Sequence, residues 1–149
     1  GLEEVEFIIS TNPGQPARSL NKVASGGELS RVSLAIQVVT ARTSAIPTLV
    51  FDEVDVGIGG ATGDVVGRLL RQLGEGGQVL CVTHLAQVAS KSHQHLQVTK
   101  TAKKQSAEST LVTLEGEQKI EEIARMLGGM KVTEQSLAHA REMVTEGAA

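Results

Sequence analysis

Two short apolar runs constrain this chain more than anything else in it. Thr48-Leu49-Val50-Phe51 and Gln78-Val79-Leu80-Cys81-Val82-Thr83 are continuous rather than alternating, as strands covered on both faces are. Between them, apolar residues fall at Val65, Val66, Leu69, Leu70 and Leu73, which is helical spacing. Residues 54–60 read as a glycine-rich loop, Ala61 to Leu73 as the helix, and Gly74, Gly76 and Gly77 as its stop. Strand, helix and strand at this spacing predict a βαβ unit, hence a parallel sheet with a right-handed crossover. Parallel strands end on the same sheet edge, so the residues after Phe51 and those after Val82 should meet in space.

The rest of the chain decorates this unit. Val5 to Ile9 reads as a strand. The turn residues Thr11-Asn12-Pro13-Gly14-Gln15-Pro16 predict loop from 11 to about 24. Leu29, Val32, Ile36 and Val39, with Ala35 and Val38 beside them, predict a helix that fades before Pro47. A short helix through Leu85, Val88 and Ala89 follows His84. His95–Lys100 and Ser109–Leu114 alternate and predict a hairpin across the polar loop Thr101–Glu108. Ile120, Ile123, Ala124 and Leu127 line one face of a helix that Gly128-Gly129 would cap. Thr133 should cap a last helix, with Val132 stapled to Leu137. The expected fold class is α/β, a single domain over residues 1–149. Its parallel βαβ core carries flanking helices and a small C-terminal hairpin.

Composition removes several functions. Lys and Arg number 14 against 17 Asp and Glu, a net charge of −3, which excludes a strongly basic DNA-coating protein. Phe7 and Phe51 are the only aromatic residues besides the histidines, so base stacking on aromatic platforms is not this chain's chemistry. Cys81 is the only cysteine, which rules out an internal disulfide and a multi-cysteine zinc site. No apolar run reaches the ~18 residues of a membrane span. No signal peptide opens the sequence, and the expected setting is soluble and intracellular.

Three clusters carry chemistry. Ser25-Gly26-Gly27-Glu28 stands at the mouth of a helix. Read structurally, it is a capping box, with Ser25 at the N-cap and Glu28 reaching back. The two glycines also leave successive backbone N–H groups unshielded at the positive helix end, an anion site suited to phosphate. The readings are compatible. Asp52-Glu53 closes a buried strand, where adjacent carboxylates repel in a low dielectric. A divalent cation relieves that repulsion: one carboxylate holds Mg²⁺ through its water shell while the other orients an attacking water. His84 ends the neighbouring strand, at the same sheet edge, where its imidazole can meet a phosphate oxygen.

Two other readings fail. A zinc site would use Cys81, His84, His93 and His95, but Cys81 and His84 have opposite parity along the strand. A dinucleotide fingerprint starting at Gly57 needs its third glycine at position 62, which is Thr62. Asp52, Glu53 and Asp55 would also repel a pyrophosphate that came without a metal.

In this order, the clusters resemble the C-terminal lobe of an ABC-type ATPase head. Ser25 to Glu28 with Arg31 resembles the signature motif, Leu49 to Glu53 the Walker B strand, and His84 the switch histidine. The closer resemblance is to the RecN family, SMC-like bacterial DNA repair proteins. It rests on the segments 22–31, 51–60 and 82–89 and on the tail 123–129, within a resemblance that runs from about Val5 to Met143. The resemblance implies that Asp52 binds Mg²⁺ indirectly and that Glu53 positions or polarises the attacking water. His84 would contact the γ-phosphate. Ser25, Gly26, Gly27 and Glu28 would bind ATP held by a second head, with Ser25 and Gly27 on its γ-phosphate. The implied cofactors are ATP and Mg²⁺. The implied partners are the N-terminal P-loop lobe of the same protein, a second head joined through ATP, and DNA through the full-length protein. No membrane is involved, and the implied location is the bacterial cytoplasm, at the nucleoid. The family couples this cycle to double-strand break repair and recombination.

Two departures stand out. Many relatives in the wider SMC group carry an acidic residue where this chain has Gly59. No G-x-x-x-x-G-K-[ST] occurs, nor any long heptad run, so the chain reads as a lobe separated from its P-loop partner. It is expected to be half of a hydrolase site, inactive alone. The alternative is a non-catalytic assembly module, or the structural head of another SMC-type chromosome-organising protein.

Overall fold

The computed structural model describes residues 2–10, 13–20, 26–41, 46–52, 55–103, 106–129 and 131–148. At its centre β3 (Thr48–Phe51) pairs in parallel with β4 (Gln78–Cys81), Thr48 opposite Gln78 and Phe51 opposite Cys81. The crossover between them is α2 (Gly60–Gly76), so the predicted βαβ unit is present. Glycine did not stop α2 at position 74. One glycine weakens a helix by about 1 kcal/mol without ending it. The helix ends at Gly77, whose extended backbone (φ −173°) leads straight into β4. The strand is also shorter than its apolar run: the ladder makes one more bond at Val82, and residues 83–85 then form the site described below.

Before this unit, β1 (Ile8–Ile9) pairs antiparallel with β2 (Arg18–Ser19). The predicted strand from Val5 is therefore reduced to two residues, and its partner lies within the stretch read as loop. A two-residue ladder needs no apolar pattern and leaves none in the sequence. The helix α1 (Gly26–Ala41) starts at the glycine pair. It buries Leu34 and Val38, while Leu29, Ile36 and Val39 of the predicted face are exposed. Apolar residues lie nearly all round α1, so periodicity alone did not select the inward face.

After β4 comes the short helix α3 (Ala86–Ala89), then a hairpin of β5 (His95–Lys103) and β6 (Ser106–Leu114). The ladder runs from His95 opposite Leu114 to Lys103 opposite Ser106. The hairpin thus extends through most of the stretch read as polar loop, because backbone pairing does not require apolar side chains. Two helices close the chain, α4 (Glu117–Gly128) and α5 (Glu134–Ala148). Thr133 caps α5 as expected, reciprocally with Ser136: each backbone N–H donates to the other's hydroxyl, at 2.9 and 3.1 Å. Among the described residues, no helix is long and apolar enough to cross a membrane.

Two apolar clusters hold these elements together. One joins Leu34 and Val38 of α1, Phe51 of β3, Val66 and Leu70 of α2, and Val88 of α3. The other packs Ala86 and Ala89 of α3 against Ile123, Ala124, Ala140 and Met143 of α4 and α5. The short helix α3 therefore contributes to both, and its seat on α2 is tight. A Cβ on Gly67 would lie 2.9 Å from the Gln87 carbonyl oxygen and 3.2 Å from Val88 Cα. The buried Lys91 just beyond α3 pairs with Asp64 of α2 at 3.1 Å, and Arg71 donates to the Lys91 carbonyl at 2.9 Å.

Gly67→Ala should therefore destabilise the chain although alanine is the better helix former. Alanine gains about 1 kcal/mol in helix propensity, whereas overpacking against backbone costs about 1–3 kcal/mol. Urea denaturation of both forms would show a lower midpoint for the variant. An equal or higher midpoint would mean that α3 moves away freely.

Candidate functional site

The parallel ladder runs one bond past β4, where Val82 N–H donates to the Phe51 carbonyl at 2.9 Å. Past that bond both chains leave the sheet at the same edge. Asp52 emerges from β3 and is exposed, and Thr83 and His84 emerge beside it from β4. The His84 side chain is 75% exposed. Glu53 and Ser25 lie outside the described residues. Gly26, Gly27 and Glu28 form the opening turn of α1.

A residue that sequence reasoning had not placed in the site organises this edge. Asp55 is 2% exposed. It sits in a turn closed by Ile58 N–H donating to its carbonyl at 3.2 Å, with Gly57 at φ +74°, a conformation that favours glycine. Its Oδ2 accepts from Thr83 Oγ1 at 2.6 Å, from His84 N–H at 2.6 Å and from Leu85 N–H at 3.2 Å. His84 Nδ1 lies 3.0 Å from the same oxygen. The Thr83 hydroxyl also accepts from Leu85 N–H at 3.0 Å, so it donates and accepts at once. Burial alone would raise the Asp55 carboxyl. The hydrogen bonds from Thr83 and the backbone, with the nearby His84 ring, instead hold it below the usual carboxylate range. One ionised carboxylate thus ties the loop after β3 to the segment after β4. The signal available in the sequence was a third acid shortly after an apolar strand, with Thr-His at the end of its parallel neighbour.

Cys81 lies behind this edge. Burial pushes its thiol up to about 11, with the negative charges of Asp55 and Asp52 adding to the effect. A half-buried thiol held so far from ionising is a poor nucleophile at neutral pH. The donor set does suit Mg²⁺ in one respect. That ion keeps most of its waters and uses one or two protein carboxylates together with substrate phosphates. A single exposed carboxylate at a strand end, Asp52, fits that role. Among the described residues no three His, Cys, Asp or Glu side chains cluster into an all-protein metal site.

The chain has close relatives. It is 57% identical over 144 residues to the DNA repair protein RecN of Vibrio cholerae serotype O1, covering 97% of this chain and 26% of that protein. It is 54% identical over 146 residues to RecN of Xylella fastidiosa, covering 98% and 26%. Against RecN of Bacillus subtilis it is 40% identical over 146 residues, covering 98% and 25%. The chain therefore spans about a quarter of the length of the curated relatives it matches. No protein-family model matches it. Among solved structures it resembles an SMC ATPase determined for work on ATP-driven dimerisation and DNA-stimulated activation. The TM-score is 0.62 at 18% identity, covering 83% of this chain and 81% of that one. It also resembles the SMC head domain with coiled coil and joint from Pyrococcus yayanosii, at a TM-score of 0.61 and 20% identity, covering 78% and 24%. At such identities the likeness is one of fold. Across nearly its whole length the chain is similar to one segment of proteins named DNA repair protein RecN, and its fold is that of an SMC-type ATPase head.

Proposed function

We propose that this chain is the C-terminal lobe of a RecN-type ATPase head and carries half of a composite nucleotide site used in double-strand break repair and recombination. The observation that supports this most is the parallel pairing of β3 with β4, since it gathers Asp52, Asp55 and His84 at one sheet edge. Asp52 would hold Mg²⁺ on the nucleotide through water. That ion, when bound, neutralises charge on the phosphates. Glu53 would orient the attacking water and accept its proton. His84 would reach the γ-phosphate from the neighbouring strand. The backbone N–H groups of Gly26 and Gly27, with Ser25 and Glu28, would face the ATP of a second head at the positive end of α1. ATP would then join two heads. The SMC ATPase that shares this fold was studied for such ATP-driven dimerisation. DNA would be engaged by the full-length protein.

The exposed surface supports a partner lobe. Parallel strands are ordinarily covered on both faces. Here Val50 is 67% and Val82 61% exposed, and Leu80 is exposed as well. An N-terminal lobe bearing the P-loop would cover this apolar layer and supply the phosphate cradle and lysine that this sequence lacks.

Calorimetry with Mg-ATP tests the reading. This chain alone should neither bind ATP tightly nor turn it over, whereas the full-length protein should do both. Micromolar binding or steady turnover by the chain alone would overturn the half-site. A full-length protein that neither binds nor hydrolyses ATP would favour the assembly module.

A further inference from the structure

We propose that Asp55 is the positioning residue for His84. It fixes which ring nitrogen carries the hydrogen and directs the other outward. This rests on the ATPase reading for its kinetic consequence, though not for its structural one. A carboxylate that only needed satisfying in its buried site could use backbone amides, and the N–H groups of His84 and Leu85 do donate to it. The added contact is from the His84 ring, whose Nδ1 lies 3.0 Å from Asp55 Oδ2. A bare ring nitrogen at that distance would be repelled by the ionised carboxylate, so the hydrogen is favoured on Nδ1. The hydrogen-free position of the neutral ring is then Nε2, on a side chain that is three-quarters exposed. In the neutral ring Nε2 accepts, from a water for example. In the protonated ring it donates, as a phosphate oxygen requires.

The geometry has a second consequence. Oδ2 holds the ring, the Thr83 hydroxyl and two successive amides together. Asp55 lies only three residues beyond Asp52, so the segment after β4 is tied to the loop that bears the carboxylate pair. Asp55 touches no nucleotide in this scheme and acts through His84.

The test uses the full-length protein with Asp55→Ala, Asp55→Asn, His84→Ala and the Asp55→Ala/His84→Ala double variant. Asp55→Ala should lower kcat by about 10–100-fold, the range for a lost partner that orients a histidine, with KM for ATP nearly unchanged. In the His84→Ala background, Asp55→Ala should add less than about threefold, because residues acting as a unit are not additive. Asp55→Asn should lose less, since its amide oxygen can accept the same bonds without the charge. It carries the test if the alanine variant does not fold. Independent, multiplying losses in the double variant would overturn the proposal. The second readout needs no turnover: ¹⁵N shifts of the histidine rings without nucleotide. They should show His84 with its hydrogen on Nδ1, shifting toward a mixture of tautomers in Asp55→Asn. Finding the hydrogen on Nε2 in the unaltered protein would overturn the proposal, whether or not it hydrolyses ATP. Absent hydrolysis with the expected tautomer would instead defeat the ATPase reading and leave the Asp55–His84 assignment standing.

Discussion

Exchanging Glu53 for glutamine in the full-length protein should nearly stop ATP hydrolysis while ATP stays bound. The amide keeps the shape and hydrogen-bonding reach of the carboxylate but cannot take a proton from the attacking water. A loss of about 10²–10⁴-fold in turnover is expected when a general base is removed. The nucleotide should then be trapped, and two heads should remain joined. Asp52→Asn should behave differently. Asp52 is the exposed carboxylate at the end of β3 and the residue suited to a phosphate-bound Mg²⁺. Weakening that site should reduce both nucleotide affinity and turnover. Measuring ATP affinity and steady-state turnover for both variants separates the roles. Near-normal turnover by Glu53→Gln would mean that the carboxylate pair does not perform this chemistry, and the assembly module would gain.

The contrast between Asp52 and Asp55 shows how far the sequence could be read. The β3–α2–β4 unit was legible because continuous apolar runs and a helical period are local patterns, and each agrees with the fold. The edge at which Asp52 and His84 emerge follows from parallel pairing alone. The role of Asp55 does not. Its partners Thr83, His84 and Leu85 lie 28 to 30 residues away, and no spacing rule connects them. In the sequence Asp55 is simply another acid, and only its burial together with converging donors distinguishes it. The face of α1 was misread for a different reason. Leu29, Ile36 and Val39 are exposed beside the buried Leu34 and Val38. A helix that is apolar on more than one side cannot be oriented by period.

The hairpin and the terminal helices divide along the same line. Alternation located β5 and β6, but side-chain pattern fades in the polar stretch while the backbone ladder continues to Lys103 and Ser106. Thr133 was legible as a cap because capping is a local exchange between a hydroxyl and nearby amides. The tie between hairpin and α4 was not. Gln97 of β5 donates to the buried Glu122 at 2.8 Å, and Arg125 holds the same carboxylate with two contacts of 2.7 Å. The Gln97–Glu122 bond ties α4 to the hairpin, and Arg125 pairs with Glu122 within the helix. These pairings stand apart from the Asp52–His84 edge and give no sign of their own of nucleotide chemistry.

Ser25→Arg in the full-length protein should abolish ATP-driven joining of heads while leaving each head folded. Gly26 and Gly27 open α1, a helix of 16 residues, and Ser25 precedes them in the sequence. In the structural reading Ser25 only caps that helix, and losing a cap costs about 1 kcal/mol. The proposed function predicts more. Unshielded amides at the positive helix end would receive the γ-phosphate of the opposite head's ATP. An arginine there would place a long cation where that phosphate must sit and would fill the space before the second head arrives. In the proposed head ATP would be held mainly by the P-loop lobe, so nucleotide affinity of the single head should change little. Hydrolysis should fall together with dimer formation, since the composite site is never completed. Light scattering with and without ATP would report association, and calorimetry would report binding to one head. Loss of the ATP-dependent dimer with retained binding is the expected result. An unchanged dimer would return Ser25 to the role of a helix cap and leave the phosphate site at α1 without support.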